Sequence, residues 1–577
     1  MKKLTVVFLG IGLMALSAYL YVNYSLSTPG FTPAQARDSS FRAKPSESFI
    51  DLKPKLILKL QQLVKEGSNG LYNLYFHELK PDILNSKLTI SRASLIPDTA
   101  VMIELQKLNQ LPDEIFRIEA DSIWIDGLGL NDVLSKDVID ITTVRILQPT
   151  INVYSEKRTN NQKQESKTLY QRLMTQLKHI GIGKLIIHNG TLVSHNPGKN
   201  KSTKFNDITV NLTNILIDST TQFDRQRFLF AKDAEITLKD YTVRTANNLY
   251  SFNVGTISIQ ATRHLLVAKN ILLQPRYNKA EFQKHIPAQK ERYKISIPSI
   301  ELKTTDWWNL VNNETLEAEY AQIKKADVQV YLDRRKPLGP MNFKGFPHQL
   351  FMKIPLKFHI EKLKVNDLDL VYEEFSKLSN QTGKIYVNNF SGTITNLTNI
   401  PGVMKESKTT TVSASGNFMG LVPVVLNLQL DLSNYKSGAF TAQLKTTKNI
   451  DGTRLNPVSE PLGLFRVKKG QLKTIISNVS GDNHKAEGEV LMLYDDLHIT
   501  PMKVDQQDSG QLKRKSVTSF IANTFVLKHE NPSKGGQPRK VNVSYTRKSG
   551  TFFNLIWKTT FVGILKTIGA PERVANQ

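Results

Sequence analysis

The sequence predicts a mainly β protein. It reads as an N-terminal transmembrane helix followed by an elongated, repeat-built antiparallel β-sheet body, curved into a groove, with a few short helices and a C-terminal amphipathic helix. Three observations carry that expectation. The chain repeats a strand-rich segment at long range, its middle alternates apolar and polar residues, and both ends carry apolar runs at helical length. An array of strand-built units buries its faces against neighbouring units.

The repeat is the firmest of the three. Phe116-Arg-Ile118-Glu-Ala-Asp-Ser-Ile123-Trp-Ile125 aligns without a gap on Tyr293-Lys-Ile295-Ser-Ile-Pro-Ser-Ile300-Glu-Leu302. At the same offset Ile146, Ile151 and Val153 fall on Ile323, Val328 and Val330. One residue further on, Ile182-Gly-Lys184-Leu185 falls on Ile360-Glu-Lys362-Leu363, and Asn211-Leu-Thr-Asn-Ile215 recurs as Asn396-Leu-Thr-Asn-Ile400. Tyr250 to Ile259 reads as the start of a partial third copy, and Leu272-Leu-Gln-Pro275 echoes Ile146-Leu-Gln-Pro149.

Composition sets outer bounds. The hydrophobic fraction of 40% supports a folded core, and the absence of cysteine removes disulfides and thiolate metal sites. The formal charge of +25 is spread along strands rather than gathered in one patch, which reads as a solvated polar face and not as a nucleic-acid surface. Only the stretch from Lys503 onward is concentrated in Lys and Arg.

Taken in order, Lys2 and Lys3 precede an uncharged run from Leu4 to Val22, with Tyr19, Tyr21 and Tyr24 at its far end. At about 1.5 Å per residue that run is about 28 Å long, close to a bilayer core, and the tyrosines suit an interface. The lysines place the N-terminus in the cytoplasm and the body outside it. Ala15-Leu-Ser17 leaves a cleaved signal peptide as the alternative. Residues 1–27 are thus an anchor and 28–70 a linker with a short helix at Pro54–Glu66. Residues 71–292 and 293–512 form two β-repeat regions, and 513–577 a basic cap. Short helices are expected at Thr99–Asn109 behind an Asp98 N-cap, at Asn131–Leu134 and at Asp306–Val311, and Ser166–His179 is a longer segment with helical spacing. Asn189-Gly190 and Asn366-Asp367 punctuate the two repeats at equivalent points, as turns or bulges. At the C-terminus Phe553, Trp557, Phe561, Ile564 and Ile568 share one helical face, while Asn554, Lys558 and Lys566 lie away from it, and Gly569 and Pro571 end the helix. A cap over the last strands and a membrane- or partner-docking helix are both open; Lys558 at mid-helix argues against a second span.

Catalytic signatures are missing. Lys199-Asn-Lys201-Ser202-Thr203 lacks the glycine spacing of a phosphate loop, His188 and His195 lack metal-ligand partners, and Asp495-Asp496 reads as a turn. Trp307-Trp308 reads as packing ahead of a sugar platform. No catalytic residue, metal or cofactor is assigned.

The anchor Leu4–Val22, the start Leu88-Thr-Ile90 with Ser94-Leu-Ile-Pro-Asp98, the two repeats, and the late segments Pro461–Leu472 and Gly488–Leu497 occur in an order that resembles the AsmA-like superfamily of bacterial envelope proteins. The resemblance implies a cytoplasmic-membrane anchor, a periplasmic β body and a role in outer-membrane homeostasis. Larger members act as bridge-like carriers of phospholipid. A sheet with an uncovered apolar face makes a trough for lipid tails. Its candidate lining is Ile118, Ile123, Ile125, Ile151 and Val153 with Ile295, Ile300, Leu302, Val328 and Val330. The expected partners are phospholipid or another lipid, the inner membrane and envelope proteins. The competing expectation is a non-enzymatic scaffold with a filled core that binds protein or cell-wall partners.

Overall fold

The computed structural model describes most of residues 61–569. Outside it lie residues 1–60, 128–137, 156–178, 197–200, 339–344, 505–511, 515–527, 548–551 and 570–577, with isolated positions between. The predicted anchor (Leu4, Tyr19, Tyr21, Val22, Tyr24), the helix at Asn131–Leu134 and nearly all of Ser166–His179 therefore fall outside the described residues. Among those described, no helix is long and apolar enough to cross a membrane.

The protein is mainly β, as the repeat and the alternation predict. It divides into two units, the first holding residues up to Thr242 with Val254–Val267 and Asp306–Glu314, the second the remainder. The first unit begins with β1 (Tyr72–Asp82), β2 (Lys87–Pro97) and β3 (Glu114–Asp126), each antiparallel to the next. β3 then pairs with two collinear strands, β4 (Val138–Leu147) and β5 (Thr150–Ser155). Both run parallel to β6 (His179–Asn196), which is followed by antiparallel β7 (Lys201–Ile217) and β8 (Ala231–Arg244).

The chain then says this again. β9 (Tyr250–Gln260) and β10 (Leu265–Pro275) form a hairpin; β11 (Arg292–Thr304) is antiparallel to β12 (Thr315–Asp333). β12 runs parallel to β13 (Lys357–Phe375), and β14 (Thr382–Thr398) and β15 (Thr409–Phe418) follow antiparallel. Equivalent residues keep their partners. Ile123 faces Ile146 as Ile300 faces Ile323, and Ile151 faces Leu192 as Val328 faces Leu370.

The backbone irregularities repeat too. Gln148, Asn189, Asp207 and Asn214 are left-handed, and so are their counterparts Lys325, Asp367, Asn389 and Asn396. The register shifts at Ile187–Leu192 recur at Val365–Leu370. Asn and Asp reach the left-handed region at little cost because their short polar side chains bond locally. Each such residue slips the pleat by one, so the apolar positions return to the same face beyond it. The expected punctuation at Asn189 and Asp367 is thus a pair of bulges inside long strands.

Two sequence alignments need correcting. Tyr250–Pro275 is the beginning of the second copy, equivalent to β1 and β2. The Tyr72 hydroxyl accepts the Phe116 backbone N–H at 3.2 Å, and the Tyr250 hydroxyl accepts that of Tyr293 at 3.2 Å. Leu71 and Leu249 each accept a backbone N–H, from Asp98 and Arg276 respectively. The two Asn-Leu-Thr-Asn-Ile segments stand three residues out of register, because Leu212 faces Leu185 where Ile394 faces Leu363.

β16 (Val422–Asp431), β17 (Phe440–Thr446), β18 (Ile450–Asp451), β19 (Phe465–Gly481) and β20 (Lys485–Val504) continue the second unit, antiparallel throughout. β21 (Leu512–Arg514) and β22 (Lys540–Thr546) both pair with β20. Asp495 and Asp496 sit within β20, Asp496 left-handed, so they mark a bulge and not a turn; Lys473 and Lys469 pair with them.

Asp98 caps the helix Thr99–Lys107 by accepting from Ala100 and Val101 N–H, as expected. Asp306 caps Trp307–Asn312. Trp307 is packing: its indole N–H donates to Ala261 O at 3.0 Å and its ring meets Phe228 edge-on. Short helices at Pro347–Phe351, Pro401–Glu406 and Asn456–Gly463 were not legible. The C-terminal helix spans Phe552–Ile568 and stops at left-handed Gly569.

Candidate functional site

In the second unit the apolar positions line up in ladder rows that cross the sheet. One row runs through Ile300, Ile323, Val365 and Gly392 and continues by way of Ala414, Leu426 and Leu444 to Ser477 and Val490. A neighbouring row runs from Leu302 through Ala321, Leu363 and Ile394 to Val412, Leu428, Ala442 and Val479. Further along the strands lie Ile295, Val328, Leu370 and Val387, and then Tyr293, Val330, Tyr372 and Ile385. The reverse face carries exposed Lys294, Lys303, Lys324, Lys362 and Lys364.

Cover over this apolar face is uneven. At the β19–β20–β22 end it lies under the C-terminal helix, where Ser477, Val479 and Val490 are buried. A Cβ on Gly563 would stand 2.4 Å from Val490, so the helix axis comes close because that residue is glycine. The Ser477 and Thr560 hydroxyls bond at 2.8 Å. Over β11–β14 the cover thins. Ile295, Ile300, Ile323, Val328, Val330, Val365, Leu370 and Val387 are only half-buried. From Val365 to Tyr372 β13 advances about 23 Å, and four strands at about 4.8 Å spacing make the face about 14 Å wide.

The first unit differs at the same positions. Ile118, Ile123, Ile125, Ile151 and Val153 are at most 2% exposed. These five candidates are sealed core and line no open surface. Of the second set, Leu302 is buried and Ile295, Ile300, Val328 and Val330 are half-buried.

The C-terminal helix is a cap on the last strands. Phe561 is buried, Trp557 and Ile564 are half-buried and pack on the core, Ile568 is buried, and Phe553 alone of the predicted face is exposed. Trp557 stacks on Phe561 at 5.5 Å. The apolar cavity that Trp557 borders holds about 40 Å³, little more than one water and far from a lipid tail.

Asn554 and Lys558 correct the expectation that they point away: both are buried. They join a polar cluster at the end of β12 and β13, on the same face as Tyr372 and one pleat beyond it. Glu374 takes Arg334 on both oxygens, Nε at 3.0 Å and Nη2 at 3.2 Å, and accepts the Tyr372 hydroxyl at 2.6 Å. Asn554 donates to the Tyr372 oxygen at 3.2 Å. Lys558 Nζ stands 3.9 Å from Glu374 Oε1. Burial works to raise the Glu374 carboxyl, but Arg334 and Lys558 outweigh it and hold it below its ordinary value. Burial lowers Lys558, with Glu374 opposing. Sequence reasoning missed this cluster, whose members are far apart in the chain.

No group of His, Asp or Glu suited to a metal ion occurs among the described residues. His195 stacks on Tyr154 at 4.7 Å and bonds Asn152, while His188 is exposed. No protein-family model matches the chain, and no curated protein matches it.

Proposed function

We propose that the protein is a non-enzymatic, membrane-anchored lipid-handling protein of the bacterial envelope, with its body on the periplasmic side. Phospholipid tails lie on the apolar face of β11–β14. One observation carries the reading: residues in register across four strands are half-buried there, while their equivalents in the first copy are sealed. The footprint of that face, about 14 Å by 23 Å, is of order 300 Å², within the range of the largest apolar patch on an ordinary monomer, which is often functional. Its length also exceeds the roughly 15 Å of one bilayer leaflet's hydrocarbon. The anchor reading rests on Leu4–Val22 and on Lys2 and Lys3. Its order of segments, similar to AsmA-like proteins, adds support.

The filled-core scaffold suits the first copy, whose apolar positions are closed. On β11–β14 buried Leu302, Ala321 and Leu363 fit it, while the half-buried row Ile300–Ile323–Val365 favours the lipid reading. Native mass spectrometry of the full chain, extracted in mild detergent, tests the proposal. Co-purified phospholipid, lost in Ile300→Asp, is the expected result. Lipid-free wild-type protein that takes up no added phospholipid overturns it.

A further inference from the structure

The polar cluster closes one end of the half-buried face, and its charges do not balance. Arg547 and Glu291 offset each other nearby, and Arg334 and Glu374 form a bidentate pair. Lys558 is the surplus charge. It sits on the C-terminal helix four residues after Asn554, so the two share a helical face and arrive at the cluster together.

As a purely structural partner of Glu374, Lys558 is poorly used. Both Glu374 oxygens already accept from Arg334, and one also accepts from Tyr372. At 3.9 Å the ammonium is beyond hydrogen-bond reach, and it forms no hydrogen bond among the described residues although it is 6% exposed. Its Nζ keeps slight contact with solvent, so its three donors are left to water, which holds a cation less firmly than an anion does. An oxyanion supplies acceptors to them, and it also cancels the surplus charge. The row next to the cluster, Val330–Tyr372–Ile385, is apolar. A ligand that satisfies both neighbours is therefore charged at one end and apolar along its length.

We propose that Lys558 receives the anionic head of an amphiphile, a phosphate or carboxylate, whose tail lies on the β11–β14 face. This rests on the lipid-handling reading and adds a headgroup preference to it. Tyr372 and Asn554 position the cluster and mark where head gives way to tail.

The test uses the full chain in mild non-ionic detergent and three probes: a monoacyl glycerophosphate, a monoacylglycerol of the same chain length, and inorganic phosphate. Affinities are read by calorimetry for the wild type, Lys558→Met and Lys558→Arg. The wild type is expected to favour the glycerophosphate about ten-fold or more, the range of one charge-assisted hydrogen bond. Lys558→Met brings that ratio to about one while monoacylglycerol binding and the melting temperature hold; Lys558→Arg keeps the preference. Equal binding of the two amphiphiles by the wild type, or a preference that survives in Lys558→Met, overturns the headgroup site and leaves the lipid reading standing. Inorganic phosphate binding as tightly as the glycerophosphate assigns the site to free anions and overturns the headgroup role. Binding of neither amphiphile overturns both.

Discussion

Ile123 and Ile300 occupy the same place in the two copies, so one substitution made at each separates a sealed core from an open face. In Ile123→Asp a carboxyl enters a site with no exposure. It takes up a proton there, at the expense of a pKa raised by about 3–5 units. At pH 7 the proton is held about 3 units above the ordinary Asp value, and at about 1.4 kcal/mol per unit that costs about 4 kcal/mol. Losing the buried isoleucine adds about 1.5–3 kcal/mol. The sum is of the order of a whole domain's stability, about 5–15 kcal/mol, so the first unit should unfold. Ile300 is half-buried, and a carboxylate there can turn to water. Its cost should be nearer 1–2 kcal/mol, an ordinary figure for one substitution. Urea unfolding followed by circular dichroism, with phospholipid uptake measured on the same samples, reads both. Ile123→Asp should lose its folded first unit. Ile300→Asp should stay folded and lose uptake. Equal destabilisation of the two variants, or unchanged uptake by Ile300→Asp, would refute the reasoning.

Three further outcomes follow from particular contacts. Gly563→Val forces a side chain into Val490 and should cost about 1–3 kcal/mol by overpacking, seen as a lower melting temperature with Trp557 fluorescence shifted toward water. Glu374→Gln strands Arg334 and Lys558 without their carboxylate and should cost about 3–5 kcal/mol in denaturant unfolding. His348 is buried with neither ring nitrogen partnered among the described residues, and burial lowers its pKa from 6.5 to about 4. Between those values the unfolded chain binds the proton and the folded chain does not, so stability falls as pH drops from 6.5 toward 4. The loss should be roughly 1–3 kcal/mol and should be absent from His348→Leu, measured as melting temperature against pH.

The strand array was legible because alternation and spacing are local and the two copies kept them. Ile118, Ile123 and Ile125 announce Ile295, Ile300 and Leu302 by pattern alone, and Asn189 and Asp367 announce their bulges by residue type. Left-handed Gln148 and Lys325 carry no such signal, since neither favours that region. The true start of each copy was hidden because β1–β2 and β9–β10 share little beyond Tyr72 and Tyr250 at one end and Pro97 and Pro275 at the other. The openness of the face could not be read from sequence at all: Ile123 and Ile300 look alike, and only what packs over them differs. Lys558 misled for a physical reason. A helical wheel assigns a lysine to solvent, yet this one is buried 3.9 Å from Glu374, a residue far away in the chain.

The central claim is that lipid tails lie on β11–β14 in the second copy and not on the matching strands of the first. The chain has no cysteine, so single photoreactive labels can be placed by Ile300→Cys, Val328→Cys and, at an exposed control site on the reverse face, Lys362→Cys. After incubation with phospholipid vesicles and irradiation, mass spectrometry of the protein reads the lipid adduct at each site. The account predicts adducts from positions 300 and 328 and none from 362. Adducts at 362 equal to those at 300 and 328, or none at any site, would contradict it.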